Sequence, residues 1–237
     1  MVCILICGID EAGRGAIIGP MVIAGVVIDS KDEKKLKKIG VKDSKVLSPK
    51  RREELAKKIE DIARNIIVLR VQPCKIDSYR TQKINLDKIE AMKMAEIIEI
   101  CGAKKIFIDS LEQNSKKFKD LILSFLKNKD VELVVENYLD ESVPVVSAAS
   151  IIAKVNRDEA AEEIRKRVGF DFGTGYSHDI RTIQFLQKLI KERKGELPSY
   201  VRQTWITAQE IKKKSLQQRL KDFFKGEEKC KEGENES

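Results

Sequence analysis

Five short apolar runs along the chain predict β-strands, at residues 2–9, 21–28, 65–71, 104–109 and 131–136. The first run is apolar at successive positions, which is typical of a central strand that is covered on both faces. A glycine-rich turn separates it from the second run. We therefore expect these two strands to be neighbours joined by a short connection.

Helical patterns follow from the second strand onward. Ser48 and Pro49 form an N-cap and a first-turn proline, which predicts a helix through about residue 64. Asn85 caps a predicted helix that ends before Gly102. The remaining predicted helices lie at 115–127, from 145 to about 167, near 179–194 and near 204–214.

The order of these elements predicts an α/β fold. Two hairpin-like strands come first, and strands then alternate with helices, so we expect a mixed sheet with helices on both faces. No strand pattern follows residue 169, which predicts a catalytic domain at 1–168 and a helical cap at 169–214. Residues 215–237 form a tail, and its last dozen residues are polar enough to predict disorder.

Composition narrows the class of protein. The chain has 46 Lys and Arg against 38 Asp and Glu, a formal charge of +8, which favours a polyanionic partner such as nucleic acid. No apolar run approaches the roughly 18 residues of a membrane span, and no secretory leader is recognisable, so we expect a cytoplasmic protein without membrane contact. The five cysteines include no CxxC pair, which predicts neither a disulfide framework nor a zinc site.

Acidic residues follow three of the predicted strands. Asp10 and Glu11 end the first, Asp109 ends the fourth, and Asp140 comes just after the fifth. If these strands are parallel neighbours, the four carboxylates converge at one sheet edge, where they repel one another unless a cation is bound. Hard oxygen ligands suit Mg²⁺ or Mn²⁺, and two such ions can support phosphodiester hydrolysis. The alternative is that each residue only caps the next element.

The loop Gly13-Arg14-Gly15, followed by Gly19-Pro20, leaves two interpretations open. Glycines permit close approach of the backbone to a ligand, and exposed N–H groups can hold a phosphate or a sugar hydroxyl. A plain turn between two strands accounts for the same residues. The spacing matches neither of the common phosphate-binding glycine motifs.

Six motifs in this order resemble those of ribonuclease HII, the type 2 ribonucleases H. They are DEAGRG from Asp10 with Gly19-Pro20, KDSK at 42–45 with Leu47, Ile108-Asp109-Ser110, PVVSAASIIAKVNRD at 144–158, Gly173-Thr174-Gly175-Tyr176, and Arg202 with Trp205. The resemblance covers roughly residues 1–210. The first motif and the one at 144–158 are long and specific.

This resemblance implies a ribonuclease H-like fold and endonucleolytic cleavage of RNA in RNA·DNA hybrids. It also implies incision 5′ of single ribonucleotides in duplex DNA, leaving 5′-phosphate and 3′-hydroxyl ends, and a role in DNA replication and repair. Asp10, Glu11, Asp109 and Asp140 would be the catalytic carboxylates and would bind two Mg²⁺ or Mn²⁺ ions. The enzyme is expected to act as a monomer.

The resemblance also implies a set of substrate-binding residues. The backbone of Gly13, Arg14 and Gly15 would read the ribose 2′-hydroxyl, and Tyr176 would stack at the RNA–DNA junction. Lys45, Lys154 and Arg202 would contact phosphates. The remaining candidates for substrate contact are Lys42, Ser44 and Ser150.

Two stretches depart from the family pattern. Residues 137–143 read NYLDESV where the family usually has a stretch close to HKADxxY, although Asp140 keeps its place before Pro144. His178, the single histidine, stands where the family often has a Pro-Ser-Asp-Pro run, and we interpret it as a loop residue rather than a base.

The tail contains a second, shorter resemblance at residues 217–224. Gln217, Leu220, Phe223 and Phe224 fit the pattern by which replication and repair proteins bind a PCNA-like sliding clamp. One turn of helix would join the three apolar side chains into a plug. Alternatively, the segment is the end of an amphipathic helix that folds back on the domain.

Three rival functions remain beside the leading one. A DNA-directed nuclease of the same fold, such as a resolvase, is disfavoured by the Gly-Arg-Gly loop and Tyr176. A type 3 ribonuclease H is disfavoured because Asp10 lies too near Met1 to leave room for the amino-terminal substrate-binding domain of that group. A non-catalytic protein that binds hybrids or the clamp is disfavoured by the complete set of four carboxylates.

Overall fold

The computed structural model describes residues 4–41, 47–110, 112 and 114–218. A five-stranded sheet forms its centre, with the strand order β3-β2-β1-β4-β5. Its strands are β1 (Leu5–Ala12), β2 (Met21–Asp29), β3 (Asn65–Val71), β4 (Lys105–Asp109) and β5 (Glu132–Glu136). Each coincides with one of the predicted apolar runs, with shifts of a few residues at the ends.

The sheet is mixed, as the order of elements predicts. β1 is antiparallel to β2, and β2 to β3, whereas β1, β4 and β5 run parallel. Ile9 of β1 is paired with Ile108 of β4, and Asp109 is paired with Glu136 of β5. The carboxyl ends of the three parallel strands therefore meet at one edge of the sheet.

Six helices match the predicted ones closely: α2 (Pro49–Ile62), α4 (Leu86–Cys101), α5 (Ser115–Phe125), α7 (Pro144–Val168), α8 (Ile180–Glu192) and α9 (206–218). The predicted caps are confirmed, because Ser48 accepts a hydrogen bond from the N–H of Arg51 and Asn85 from that of Lys88. Three short helices were not predicted: α1 (Glu33–Ile39), α3 (Pro73–Thr81) and α6 (Leu139–Ser142). Each buries too few residues to leave an apolar stripe in the sequence.

Helices cover both faces of the sheet, which confirms the predicted layers. Cys7 and Ile9 of β1 pack with α3, α4 and α5 on one face. Ile6 and Ala12, on the opposite side of the same strand, pack with α1, α2 and α7. None of the helices in the described ranges is long and apolar enough to cross a membrane.

The segment after residue 169 builds a third core. Phe172, Phe185 and Leu186 pack against Ile17 and Ile18 of the β1–β2 connection and against the later turns of α7. Ile18 also forms a β-bridge with Val201. The C-terminal segment therefore touches the glycine-rich loop, although the division into two domains at residue 168 stays a prediction.

Gly8 explains how closely α7 approaches the centre of the sheet. A Cβ atom at this position would lie 2.3 Å from the carbonyl oxygen of Val145 and 2.6 Å from the nitrogen of Val146. These are main-chain atoms, which cannot move aside as a side chain can. The absence of a side chain at Gly8 thus lets the first turns of α7 lie directly against β1, two residues from Asp10.

Candidate active site

Three buried carboxylates meet at the carboxyl edge of the parallel strands. Asp10 comes directly after Ile9, the last residue of β1 that pairs with β4. Asp109 is the last residue of β4, and Asp140 lies in α6. Ligand atoms from the three side chains lie within 4.8 Å of one another. The sheet edge therefore brings together residues that are 130 positions apart in the sequence.

Main-chain hydrogen bonds fix the third carboxylate. Oδ1 of Asp109 accepts from the N–H of Leu139 at 2.8 Å, and this bond holds the turn that carries Asp140. The hydroxyl of Ser147 in α7 donates to the carbonyl oxygen of Asp140 at 2.5 Å. Tyr138 enters α6 with a φ of 63°, a left-handed conformation that reverses the chain after β5. The single-turn helix α6 therefore fixes the position of Asp140.

Burial dominates the electrostatics of Asp10. The pKa of Asp10 is raised from 3.8 to about 7, chiefly by burial and also by the charges of Asp109 and Asp140, while hydrogen bonds from Ser150 and the N–H of Glu11 oppose the rise. Several ionised carboxylates that are buried together cost free energy when no cation balances their charge. A divalent cation would remove that cost.

Glu11 approaches from the other face of the sheet. It follows Asp10 in an extended strand, so the alternation of side chains directs Glu11 to the side of α4. The carboxyl groups of the two residues nevertheless come into contact at the strand end. The three-carboxylate cluster found in the described residues does not include it. Burial raises the pKa of Glu11 well above its usual value, as do the charges of Glu90, Asp10 and Asp109.

The donor set fits a divalent metal. Oε2 of Glu11 is buried and has no hydrogen-bond partner in the described part of the chain. An oxygen of this kind, beside three clustered carboxylates, is suited to a hard cation such as Mg²⁺ or Mn²⁺. The described cysteines take no part in the cluster, which consists of oxygen donors alone.

The Gly-Arg-Gly loop lies directly after β1. Gly13 has a φ of 78°, and a Cβ atom there would lie 2.8 Å from the carbonyl oxygen of Pro20. Both observations require glycine at this position. The side chain of Arg14, for which the sequence suggested no partner, bonds three carboxylates at 2.5–2.9 Å: Asp87, Glu90 and Glu112.

Glu90 is a residue that the sequence analysis missed. Its side chain is 3% exposed and lies beside Glu11, and burial raises its pKa to about 7 against the opposing effect of Arg14. The available signal was its place in α4, where an acidic residue stands between Ile89 and Ala91 on the apolar face. A buried glutamate needs a partner, and Arg14 supplies it.

Arg202 requires a correction. We expected it to contact a phosphate, but the residue is 0% exposed. Its guanidinium donates to the carbonyl oxygens of Gly13 and Arg14, both at 2.6 Å, and to that of Gly19. The N–H groups of Arg202 are therefore already bonded to carbonyl oxygens of the loop, and the buried guanidinium is not accessible to a phosphate.

Tyr176 lies near the same loop. Its ring is 3.9 Å from the point where Gly15 would carry a Cβ atom, and it stacks on His178. Arg157 of α7, also missed, lies 5.1 Å from the Tyr176 ring and donates to the carbonyl of Thr174. It is buried and joins the Gly-Arg-Gly loop to the Gly-Thr-Gly-Tyr loop.

The other expected substrate residues are placed as follows. Ser150 is buried against Asp10, so its hydroxyl belongs to the carboxylate cluster. Lys154 is half-buried in a groove with Arg52, Tyr176 and the exposed His178. Gln217 is exposed in the described part of α9. Six of the residues lie outside the described ranges: Lys42, Ser44, Lys45, Leu220, Phe223 and Phe224.

The family model described as Ribonuclease HII matches residues 7–208. The chain belongs to the ribonuclease HII family. Family members are divalent-metal-dependent endonucleases, and the acidic cluster described above agrees with this. The chain is therefore an enzyme with ribonuclease H activity, and the non-catalytic alternative is set aside.

Similar proteins support this assignment over nearly the full length. The ribonuclease HII of Methanosarcina barkeri is 41% identical over 214 residues, which are 88% of this chain and 95% of that protein. The crystal structure of ribonuclease H2 from Pyrococcus horikoshii OT3 matches this chain with a TM-score of 0.82 and 39% sequence identity. The match covers 89% of this chain and 98% of the Pyrococcus chain.

A second solved structure is a PCNA:RNase HII complex from Archaeoglobus fulgidus. It has a TM-score of 0.77 at 39% identity and covers 85% of this chain and 95% of its own. The ribonuclease H-like fold expected from the sequence is thereby confirmed.

Proposed function

We propose that this ribonuclease HII hydrolyses RNA in RNA·DNA hybrids and also incises duplex DNA 5′ of embedded ribonucleotides, leaving 5′-phosphate and 3′-hydroxyl ends. The observation that carries the proposal is the position of the buried Asp10, Asp109 and Asp140 directly beside the loop at 13–15. A site for phosphodiester hydrolysis and a backbone suited to a sugar hydroxyl thus adjoin. The enzyme would act as a monomer in the cytoplasm, where it would remove RNA primers or misincorporated ribonucleotides.

The carboxylates have a role as ligands. Asp10, Asp109 and Asp140, with Glu11 from the other face, would hold two Mg²⁺ or Mn²⁺ ions. Such ions supply activation of water and stabilisation of the leaving 3′-oxygen. Hydrogen bonds from Ser150 and the N–H of Glu11 favour the ionised form of Asp10 and offset part of the effect of burial.

The substrate contacts follow from the loops around the cluster. The N–H groups at Gly13, Arg14 and Gly15 would bind the ribose 2′-hydroxyl, the group that distinguishes RNA from DNA. Tyr176, held by Arg157, would stack at the RNA–DNA junction. Lys154 would contact a phosphate, as would Lys42, Ser44 and Lys45.

Metal removal tests the chemistry. Cleavage of a labelled RNA·DNA hybrid is expected in Mg²⁺ or Mn²⁺ and is expected to stop in excess EDTA, because the carboxylates alone cannot activate water. Added Mg²⁺ or Mn²⁺ should restore the rate, whereas Ca²⁺ serves as a control ion. A rate in EDTA equal to that in Mg²⁺ contradicts the metal site.

The tail is proposed to bind a PCNA-like sliding clamp through residues 217–224. The Archaeoglobus relative forms a complex with PCNA, and Gln217 of this chain is exposed in the described part of α9. Leu220, Phe223 and Phe224 would supply the apolar contacts. Such binding would bring the nuclease to replicating or repaired DNA.

Deletion of residues 217–224 tests the clamp proposal. We expect clamp binding to fall by at least about 100-fold, since the apolar plug supplies most of the contact, while clamp-free turnover stays within about twofold. A chain that ends after Phe224 is the matched control, because it keeps residues 217–224 and lacks only the residues that follow them. Unchanged clamp affinity after the deletion, measured by calorimetry, contradicts the proposal.

A further inference from the structure

The Gly-Arg-Gly loop rests on a buried arginine and a tryptophan from the C-terminal segment. Arg202 donates to the carbonyl oxygens of Gly13 and Arg14, each at 2.6 Å. Nε1 of Trp205 donates to the carbonyl oxygen of Gly15 at 3.3 Å. Three consecutive loop carbonyls are therefore held by two residues that lie about 190 positions later in the chain.

These bonds determine where the loop N–H groups point. In a trans peptide the C=O of one residue and the N–H of the next point in opposite directions, and the described peptide bonds are all trans. Because the carbonyls of Gly13 and Arg14 point down to Arg202, the N–H groups of Arg14 and Gly15 point away from it. Gly15 is exposed, so this direction is the open side of the loop.

We propose that Arg202 is a positioning residue that sets the discrimination between ribose and deoxyribose, by aiming the N–H groups of Arg14 and Gly15 at the 2′-hydroxyl. Trp205 assists as a second positioning residue, because it packs on the Arg202 guanidinium and fixes the carbonyl of Gly15, the peptide that follows these N–H groups. This inference rests on the proposed function, since it assumes that the loop reads the sugar. It assigns the late Arg-x-x-Trp element to sugar recognition rather than to phosphate binding.

The supporting segment is itself anchored. Asp77 of α3 accepts hydrogen bonds from the N–H groups of Gln203 and Thr204, and from the hydroxyl of Thr204. The N–H of Arg202 donates to the carbonyl oxygen of Ile17 at 2.8 Å. The support thus stays fixed relative to both α3 and the loop, as a recognition backbone needs.

The chemistry of the guanidinium explains why arginine is used. Its planar fork reaches the carbonyls of Gly13, Arg14 and Gly19 at once, and its ring-like face stacks 4.7 Å from the centre of the Trp205 ring. A lysine ammonium carries its three donors on a single nitrogen, so it cannot reproduce the fork of three nitrogens that reaches these oxygens. No carboxylate of the described residues forms an ion pair with Arg202, and burial of such a charge is costly. We therefore attribute the choice of arginine at this position to its bonds with the loop carbonyls.

Binding measurements separate positioning from general support. In EDTA, where no cleavage is expected, affinity is measured for a DNA duplex with one ribonucleotide and for the all-DNA duplex of the same sequence. We expect the wild type to prefer the ribonucleotide duplex. Arg202→Lys should reduce this preference by about tenfold, and Trp205→Phe, which keeps the ring but loses Nε1–H, by about threefold. Affinity for the all-DNA duplex should stay unchanged.

Controls keep each outcome interpretable. Arg167→Lys makes the same replacement at an exposed arginine of α7 that stacks on Tyr200, and it should leave the preference intact. If Arg202→Lys does not fold, Trp205→Phe alone decides. A preference that survives in the folded variants overturns the inference, and so does an equal loss of affinity for both duplexes, the result of a merely structural role. Absence of any preference in the wild type overturns the proposed reading of the sugar by the loop, and this inference with it.

Discussion

Asp10→Asn and Asp109→Asn are each expected to lower the rate of hybrid cleavage by at least about 10³-fold, with hybrid affinity retained within about threefold. Each asparagine keeps the shape of the side chain and removes one negative ligand oxygen from the cluster. The affinity is retained because binding depends on the basic residues and the loops around the cluster.

Asp10→Asn is also expected to stabilise the metal-free protein. The folded pKa of Asp10 is raised to about 7 from 3.8, so the folded state binds more protons than the unfolded state between these values. The contribution of Asp10 to stability is therefore favourable only at low pH and is lost as the pH rises through about 7. At pH 8 in EDTA, Asp10→Asn should raise the free energy of unfolding by about 1–3 kcal/mol, with a smaller gain at pH 5.

Urea denaturation and steady-state kinetics together check this pair of effects. Glu136→Gln is the matched control, because this carboxylate ends β5 at the same sheet edge but is exposed. It should leave both rate and stability near those of the wild type. Near-wild-type cleavage by Asp10→Asn or Asp109→Asn contradicts the assignment of the metal site, and a loss of stability at pH 8 contradicts the electrostatic account.

The second large effect is discrimination between sugars. A site that bonds a substrate hydroxyl rejects the analogue without it on the order of 10⁴-fold, because its polar groups are then left unpaired. Arg202 holds the carbonyls of Gly13 and Arg14, and we propose that the N–H groups of Arg14 and Gly15 are thereby directed to bond the 2′-hydroxyl. We therefore expect one ribonucleotide in a DNA duplex to suffice for cleavage on its 5′ side, with the all-DNA duplex cut about 10⁴-fold more slowly.

The sheet and the carboxylate edge could be predicted from the sequence because they depend on local patterns. Apolar runs identify the strands, and Asp10 and Asp109 stand at the ends of two of them. Their convergence then requires only that β1 and β4 run parallel, which they do. The alternation of side chains along β1 could also have placed Glu11 on the face opposite Asp10.

The supports of the site could not be predicted in the same way. Arg202 and Glu90 are charged residues, which are usually exposed, yet both are buried because of partners far away in the sequence. Helix α3 has no apolar stripe, although its Asp77 anchors the segment that carries Arg202. Such contacts depend on tertiary structure. The place of Glu90 on the apolar face of α4 is a local signal that the residue is buried, but nothing local in the sequence identifies its partner.

One measurement tests the central claim most directly. A duplex with a single ribonucleotide, labelled on the ribonucleotide strand, is incubated with the enzyme in Mg²⁺ or Mn²⁺ beside the all-DNA duplex. The products are then mapped on a sequencing gel, and their ends are identified by phosphatase and ligase treatment. The account predicts one cut 5′ of the ribonucleotide, with 3′-hydroxyl and 5′-phosphate ends, and an intact all-DNA duplex. Equal cutting of the two duplexes would contradict it and would indicate a nuclease directed to DNA.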